Sequence, residues 1–204
     1  MTFQPSEPAR GRARVVVIHG YGASPENHWF PWLGDELASA GVPVSVAQMP
    51  EEIPADAGKW GEAVKSAVGN VDSETFLVGH SLGCITILRY LAGLPEPWAL
   101  GGLILVAGFA GKLAVIPELD AFLEDEVQLD GVIENIRHRL VIHSDNDPTV
   151  PPAASAELAS RLNAQVHVVP GAKHFLDADG MVELPPVRGA LEQWLAESRQ
   201  PPAT

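Results

Sequence analysis

The sequence predicts a single-domain α/β fold with about six parallel strands in one sheet and helices on both faces. Short apolar runs rich in β-branched residues alternate with longer helical patterns, and each run ends at Gly, Pro or a polar turn. Residues 15–18 and 103–106 are apolar at every position, as expected for central parallel strands covered on both faces. The length of 204 residues suits one domain.

The elements alternate from the first strand to the last helix, and this order favours right-handed strand-helix-strand crossovers. Several helix patterns begin near a proline, whose fixed φ suits the first helical turn. In chain order, the predicted strands are 13–19, 42–47, 74–78, 102–107, 140–143 and 165–169, and the predicted helices are 29–40, 56–68, 82–92, 152–162 and 185–197.

One connection, residues 109–137, is longer than a strand-helix-strand unit requires, and we expect it to form a short cap. Its central part, 110–135, holds seven acidic residues and one basic residue. Two forms remain open: an amphipathic helix packed beside the sheet, or a lid over a site. We expect the folded domain to span 13–198, with flexible ends at 1–12 and 199–204.

The charge balance excludes several classes of partner. Thirteen Lys and Arg against 26 Asp and Glu give a net charge of −13, which repels nucleic acids and anionic lipid headgroups. The single cysteine, Cys84, cannot form an intrachain disulfide, and residues 1–14 lack the apolar stretch of a signal peptide. We therefore expect a cytoplasmic protein that binds neither nucleic acid nor membrane, of undetermined oligomeric state.

The segment Gly79-His80-Ser81-Leu82-Gly83 lies between a predicted strand and a predicted helix. This is the G-x-S-x-G pattern in the strand-turn-helix context in which a serine hydroxyl is exposed on a sharp, strained turn. The glycines leave room where a side chain would strike a neighbouring strand or helix. We predict that Ser81 is a nucleophile.

A serine nucleophile needs a histidine base and a carboxylate that orients the base. In this architecture both follow the serine, acid first, on loops after later strands. His174 follows the sixth predicted strand, and Asp145 and Asp147 follow the fifth. We favour Asp147, which lies just before a helix that begins with prolines, although Asp145 remains an alternative that could instead accept turn amides.

The tetrahedral intermediate requires backbone N–H donors, and we assign these to Leu82 and Tyr21. Tyr21 lies in the glycine-rich loop after the first strand, and an aromatic cluster follows it at 27–32. This cluster has two interpretations: part of a substrate pocket, or core aromatics. The candidate substrate-pocket residues are Gly20, His28, Trp29 and His80.

The sequence predicts neither a cofactor nor a metal. The loop after the first strand has no G-x-G-x-x-G and no phosphate-binding lysine. His19, His80 and His143 each end a predicted strand or lie close to its end, but without Asp or Cys at ligand spacing they do not predict a metal site.

The chain resembles a known family over residues 15–194, nearly all of the folded part. The segments VVVIHGYGASPENHWFPWL, FLVGHSLGCITILRYL, GGLILVAGFA, DNDPTVP and GAKHF are similar to those of the small serine hydrolases of the bacterial YdeN type, which also include human retinoblastoma-binding protein nine. The resemblance implies an α/β-hydrolase fold without a cofactor, with Ser81 as nucleophile, Asp147 as acid and His174 as base.

The expected function is therefore hydrolysis of small-molecule esters or amides through an acyl-enzyme. A carboxylesterase-like activity is favoured, and the shortness of the cap favours small acyl groups such as acetyl to butyryl. The alternative is a non-catalytic or moonlighting protein that uses the fold as an interaction scaffold, because fold and function are separable.

Overall fold

The computed structural model describes residues 13–198, so the predicted flexible ends at 1–12 and 199–204 lie outside the described residues. Six parallel strands form one sheet in the order β2-β1-β3-β4-β5-β6, which confirms the predicted architecture. The strands are β1 (Arg14–Ile18), β2 (Val44–Ala47), β3 (Thr75–His80), β4 (Leu100–Val106), β5 (Ile136–Ser144) and β6 (Gln165–Val169). The helices are α1 (Phe30–Ser39), α2 (Ala57–Val68), α3 (Leu82–Ala92), α4 (Pro152–Arg161) and α5 (Pro185–Ser198).

The sheet separates two apolar cores. Val16 and Ile18 of β1 contribute to a core shared with α2, α3 and α4, whereas Val15 and Val17 contribute to a core shared with α1 and α5. Successive side chains of a strand point to opposite faces, so a strand buried on both faces must be apolar throughout. No helix within residues 13–198 has the length and apolar character needed to cross a membrane.

Strand β5 begins at Ile136, four residues earlier than predicted. The polar run 137–139 concealed its first half, because His138 and Arg139 have partners that the sequence does not reveal. The Arg139 guanidinium donates to the carbonyls of Ile133 and Ile136, and the His138 ring stacks on Trp194 with centroids 5.0 Å apart. Tertiary contacts therefore override the apparent strand boundary.

The cap segment, residues 109–137, contains two short 3₁₀ turns and no α-helix, so the expectation of an amphipathic helix there is wrong. Most of its apolar side chains, Phe122 among them, are buried in the core beside α2 and α3, whereas Val115 is exposed. The Arg89 guanidinium of α3 donates to the carbonyls of Phe122 (2.6 Å) and Asp125 (2.9 Å). These bonds satisfy backbone groups that a helix would satisfy internally. A role as a lid remains a prediction.

Candidate active site

Ser81 occupies the turn between β3 and α3 with φ 53° and ψ −121°, a strained conformation for a residue with a Cβ. Its amide donates to the carbonyl of Val106 at 2.9 Å, which ties the turn to β4. A Cβ on Gly83 would lie 2.2 Å from the carbonyl oxygen of Ile18, so only glycine fits there. The neighbouring elements thus hold Ser81 in the strained turn that the sequence pattern predicted.

The structure brings the three residues of the expected triad together. Nε2 of His174 lies 3.0 Å from Oγ of Ser81, and Nδ1 of His174 lies 2.8 Å from Oδ2 of Asp147. All three residues are buried: Ser81 is 7% exposed, His174 7% and Asp147 8%. This geometry orients one imidazole nitrogen toward the hydroxyl and the other toward a carboxylate.

Asp147, not Asp145, contacts the histidine. Oδ1 of Asp147 accepts the amides of Thr149 (2.8 Å) and Val150 (2.9 Å), which leaves Oδ2 directed at His174. Asp145 is exposed, and its Oδ1 accepts the amide of Gly171 at 2.8 Å. Of the two candidates, Asp147 is thus the one placed against His174, and Asp145 stabilises the loop that carries His174.

The loop that carries His174 is itself strained. Lys173 (φ 47°) and Phe175 (φ 61°), on either side of the histidine, both have positive φ. The amide of Lys173 donates to Oδ1 of Asn146 at 2.9 Å, and Phe175 is fully buried. Contacts with the loop after β5 and with the core therefore compensate for the strain and hold the imidazole in place.

The amides of Tyr21 and Leu82 make no hydrogen bond within residues 13–198. A Cβ on Gly20 would lie 2.9 Å from Cβ of Ser81, so the loop after β1 runs directly against Ser81. The carbonyl of Gly20 accepts from Nδ1 of His19 (2.8 Å) and from the amide of Ala23 (3.3 Å). Because this carbonyl and the Tyr21 N–H belong to one trans peptide, the two bonds also orient the N–H in the opposite direction.

Sequence reasoning missed the position of His19 beside the glycine-rich loop after β1. Its Nε2 accepts the amide of Met49 at 3.2 Å while Nδ1 donates to Gly20, so a neutral imidazole with a single tautomer satisfies both bonds. Burial lowers the pKa of His19, which favours the neutral form. The available signal was the place of His19 between an apolar strand and a glycine-rich loop, but the sequence pattern was interpreted only for metal binding.

Two of the four predicted pocket residues need correction. Trp29 and His80 are 0% and 1% exposed and pack inside the protein, Trp29 with Phe30 at 4.7 Å between ring centroids. Gly20 lies against Ser81, as described above. His28 is partly exposed, and its Nδ1 accepts the amide of Asp177 at 3.1 Å. The aromatic cluster at 27–32 is therefore mainly part of the core.

Among the cavities of the described surface, one borders the loop after β1 and another the loop after β4. The first, of about 290 Å³, lies between the glycine-rich loop after β1 and residues 50–53. Its wall includes His19, Tyr21, Asn27, Glu51 and Ile53, of which Ile53 is 83% exposed. The other, of about 340 Å³, lies between the cap segment and α4 and is lined by apolar and charged side chains.

No group of three or more His, Cys, Asp or Glu residues within 13–198 is arranged to hold a metal ion. The histidines near the ends of β1, β3 and β5 each face a different backbone carbonyl. His19 faces Gly20, His80 faces His174 at 2.9 Å, and His143 faces Ser144 at 3.0 Å.

Comparison with known proteins shows similar chains and folds. The chain is 38% identical over 184 residues to the hydrolase YdeN of Bacillus subtilis (strain 168), covering 90% of this chain and 97% of that protein. The crystal structure of the B. subtilis ydeN gene product superposes with a TM-score of 0.87 over 90% of this chain and 99% of that one. The expected resemblance to the YdeN type is confirmed.

A second curated protein and a further solved structure are similar at lower identity. The serine hydrolase RBBP9 of Rattus norvegicus is 25% identical over 82% of this chain and 89% of that protein. Est1E of Butyrivibrio proteoclasticus, solved with ferulic acid, is 18% identical, with a TM-score of 0.68 over 91% of this chain and 88% of that one. At that identity the likeness concerns the fold, and the predicted α/β-hydrolase fold is confirmed.

The profile of a family described as Serine hydrolase matches residues 15–193, which include Ser81, Asp147, His174 and all six strands apart from Arg14, the first residue of β1. With this match and the identity to YdeN, the chain belongs to the serine hydrolase family.

Proposed function

We propose that the protein hydrolyses small carboxylic esters by a two-step acyl transfer, with small amides as the nearest alternative substrates. One observation carries the proposal: the continuous chain from Oγ of Ser81 through the imidazole of His174 to the carboxylate of Asp147, with contacts of 3.0 and 2.8 Å. This arrangement serves acyl transfer because it activates a hydroxyl that is a weak nucleophile by itself.

In the acylation step, Oγ of Ser81 attacks the carbonyl carbon while Nε2 of His174 takes the hydroxyl proton. The carbonyl π bond breaks, and its oxygen becomes an oxyanion that accepts from the amides of Tyr21 and Leu82. The carboxylate of Asp147 stabilises the imidazolium that forms. The intermediate then collapses: the bond to the leaving alcohol or amine breaks, and His174 gives its proton to the leaving group.

In the deacylation step, water replaces the leaving group. Nε2 of His174 takes a proton from the water as its oxygen attacks the acyl carbon, and the same amides hold the second oxyanion. The bond to Oγ of Ser81 breaks, His174 returns the proton to that oxygen, and the carboxylic acid leaves. Each step ends with the base deprotonated at Nε2, so no external proton donor is needed.

A cavity that borders the loop after β1 supports a small, uncharged or weakly charged substrate. That loop contacts Ser81 at Gly20, and the cavity has a volume of about 290 Å³ and carries Glu51 on its wall. The net charge of −13 further disfavours phosphorylated or strongly anionic substrates. These features favour neutral esters with acyl groups from acetyl to butyryl.

A chain-length series of p-nitrophenyl esters, with p-nitroanilides of the same acyl groups, tests the proposal. We expect kcat/KM to be highest at short acyl chains, and Ser81→Ala to remove turnover while the circular dichroism spectrum is unchanged. Ser39→Ala is the matched control, since Ser39 is exposed and its hydroxyl donates only to the carbonyl of Asp35. A maximum beyond about C8 contradicts the substrate class, and full turnover by Ser81→Ala contradicts the mechanism.

A further inference from the structure

His80 lies between the nucleophile turn and the loop that carries the base. It is the last residue of β3, immediately before Ser81, and it is 1% exposed. Its Nε2 is 2.9 Å from the backbone carbonyl oxygen of His174. A carbonyl can only accept, so Nε2 must carry the hydrogen and donate it.

Aromatic rings hold the His80 imidazole in this orientation. The ring centroids of Phe30, His28 and Trp29 lie 5.9, 5.5 and 6.2 Å away, all in edge-to-face geometry. The ring of His174 itself lies 5.2 Å away. Burial keeps the pKa of His80 well below its ordinary value, so the imidazole is neutral and carries one N–H.

The other nitrogen of His80 argues against a purely apolar packing role. Nδ1 is buried without a hydrogen-bond partner within residues 13–198. An unpartnered buried polar atom costs stability, which a phenyl ring of similar size would avoid. The imidazole is therefore useful at this position for the one bond that it makes, from Nε2 to the loop of the base.

That loop requires an anchor. The residues on both sides of His174 have positive φ, and the amides of Gly171 and Lys173 bind the neighbouring loop through Asp145 and Asn146. The bond from His80 adds an attachment to a different element, the strand that ends just before Ser81. It links the peptide of the base to the residue next to Ser81.

We propose that His80 is a positioning residue for hydrolysis. By donating Nε2–H to the His174 carbonyl, it holds the base loop against the nucleophile turn and sets the distance from Nε2 of His174 to Oγ of Ser81. This inference rests on the proposed function of Ser81 and His174.

Three substitutions separate the hydrogen bond from the packing. His80→Gln keeps an N–H at about the reach of Nε2, His80→Phe keeps the ring and removes the donor, and His80→Asn places its amide too close to the backbone to reach. Because a misplacement of about 1 Å can cost roughly 100-fold, we expect His80→Phe and His80→Asn to lower kcat by about 10- to 100-fold. KM should stay within about 3-fold, and His80→Gln should recover kcat to within about 5-fold of the wild type.

A second measurement reports the base directly. The low-field proton NMR signal of the His174 Nδ1–H, bonded to Asp147, should be sharp in the wild type and His80→Gln and broadened or lost in His80→Phe. A change in global stability alone leaves this signal of the folded state unchanged. If His80→Phe does not fold, kcat and the NMR signal of His80→Gln are compared with those of His80→Asn, which also lacks a donor within reach of the His174 carbonyl.

The outcomes separate this inference from the proposed function. Labelling of the wild type by a fluorophosphonate, together with a slow His80→Phe and a restored His80→Gln, supports the positioning role. The positioning role is overturned if the wild type is labelled and all three variants have the kcat of the wild type. It is also overturned if His80→Gln and His80→Phe lose equal amounts of kcat. Failure of the wild type to react contradicts the proposed function itself, and the inference with it.

Discussion

Asp147→Asn replaces one carboxylate oxygen by an amide nitrogen at the point where the acid contacts the base. In the native site, Oδ1 accepts two backbone amides, from Thr149 and Val150, while Oδ2 accepts from His174. An asparagine keeps its single carbonyl oxygen on the two amides, so its NH₂ group faces Nδ1 of His174. That nitrogen must then accept instead of donate.

The consequence for catalysis is a reversed tautomer. When Nδ1 of His174 accepts, Nε2 carries the hydrogen and can no longer take the proton of Ser81. In triads of this kind the change lowers kcat by about 10⁴-fold, which corresponds to about 5 kcal/mol in the activation free energy. We expect a loss of this size with KM nearly unchanged, because Asp147 is 8% exposed and touches the base.

Asp145→Asn is the matched control, two residues away on the same loop. Asp145 is exposed, and an asparagine there keeps an oxygen to accept the amide of Gly171. We expect kcat within about 3-fold of the wild type, because the bond to Gly171 is kept. The replacement of an exposed residue also changes the free energy of unfolding by only a few tenths of a kcal/mol.

The assay is steady-state hydrolysis of p-nitrophenyl acetate by both variants, with thermal unfolding to show that each is folded. The reasoning is refuted if Asp147→Asn keeps more than about a tenth of wild-type kcat, or if Asp145→Asn loses as much as Asp147→Asn.

Three further predictions concern stability and reactivity. Gly83→Ala should destabilise the fold by about 3 kcal/mol or more in urea unfolding, because its Cβ would lie 2.2 Å from the Ile18 carbonyl oxygen. Gly34→Ala, with open space around it in α1, should stabilise the fold by about 0.5–1 kcal/mol. Equal effects of the two substitutions contradict this reasoning. Burial holds the pKa of His80 well below 6.5, so the unfolded chain binds a proton there that the folded chain does not, and stability falls as the pH drops below about 6.5. His80→Gln should reduce that slope by about 0.7 kcal/mol per pH unit, averaged over urea titrations between pH 5.5 and 7.5, and an unchanged slope speaks against a neutral His80. Burial also raises the pKa of the Cys84 thiol, so a disulfide reagent should react with it only after denaturation; rapid reaction of the native protein contradicts this.

The features predictable from the sequence are those with local causes. The apolar run at 15–18 predicted a central strand because both faces of β1 are covered, and the glycines around Ser81 predicted the nucleophile turn because no Cβ fits there. His174 was found from its position after the last strand. Chain order and strand ends thus predicted that Ser81 and His174 meet, whereas the contact of Asp147 with His174, and not of Asp145, is seen only in the structure.

The features that the sequence did not reveal depend on partners distant in the chain. His80 and Trp29 were predicted as pocket residues, but the sequence cannot show that their rings are buried against each other. The cap segment was expected to be helical in one interpretation, yet a single arginine, Arg89, satisfies carbonyls that are 33 and 36 residues away. Sequence spacing carries no information about such contacts.

The central claim is that Ser81 is an activated nucleophile, and covalent labelling tests it most directly. The purified protein and Ser81→Ala are incubated with a fluorescent fluorophosphonate, and the adduct is mapped by mass spectrometry. We predict one adduct, on Ser81, that is absent from a folded Ser81→Ala. A folded wild-type protein without an adduct, or with the same adduct in both proteins, would contradict the claim and favour the interaction scaffold.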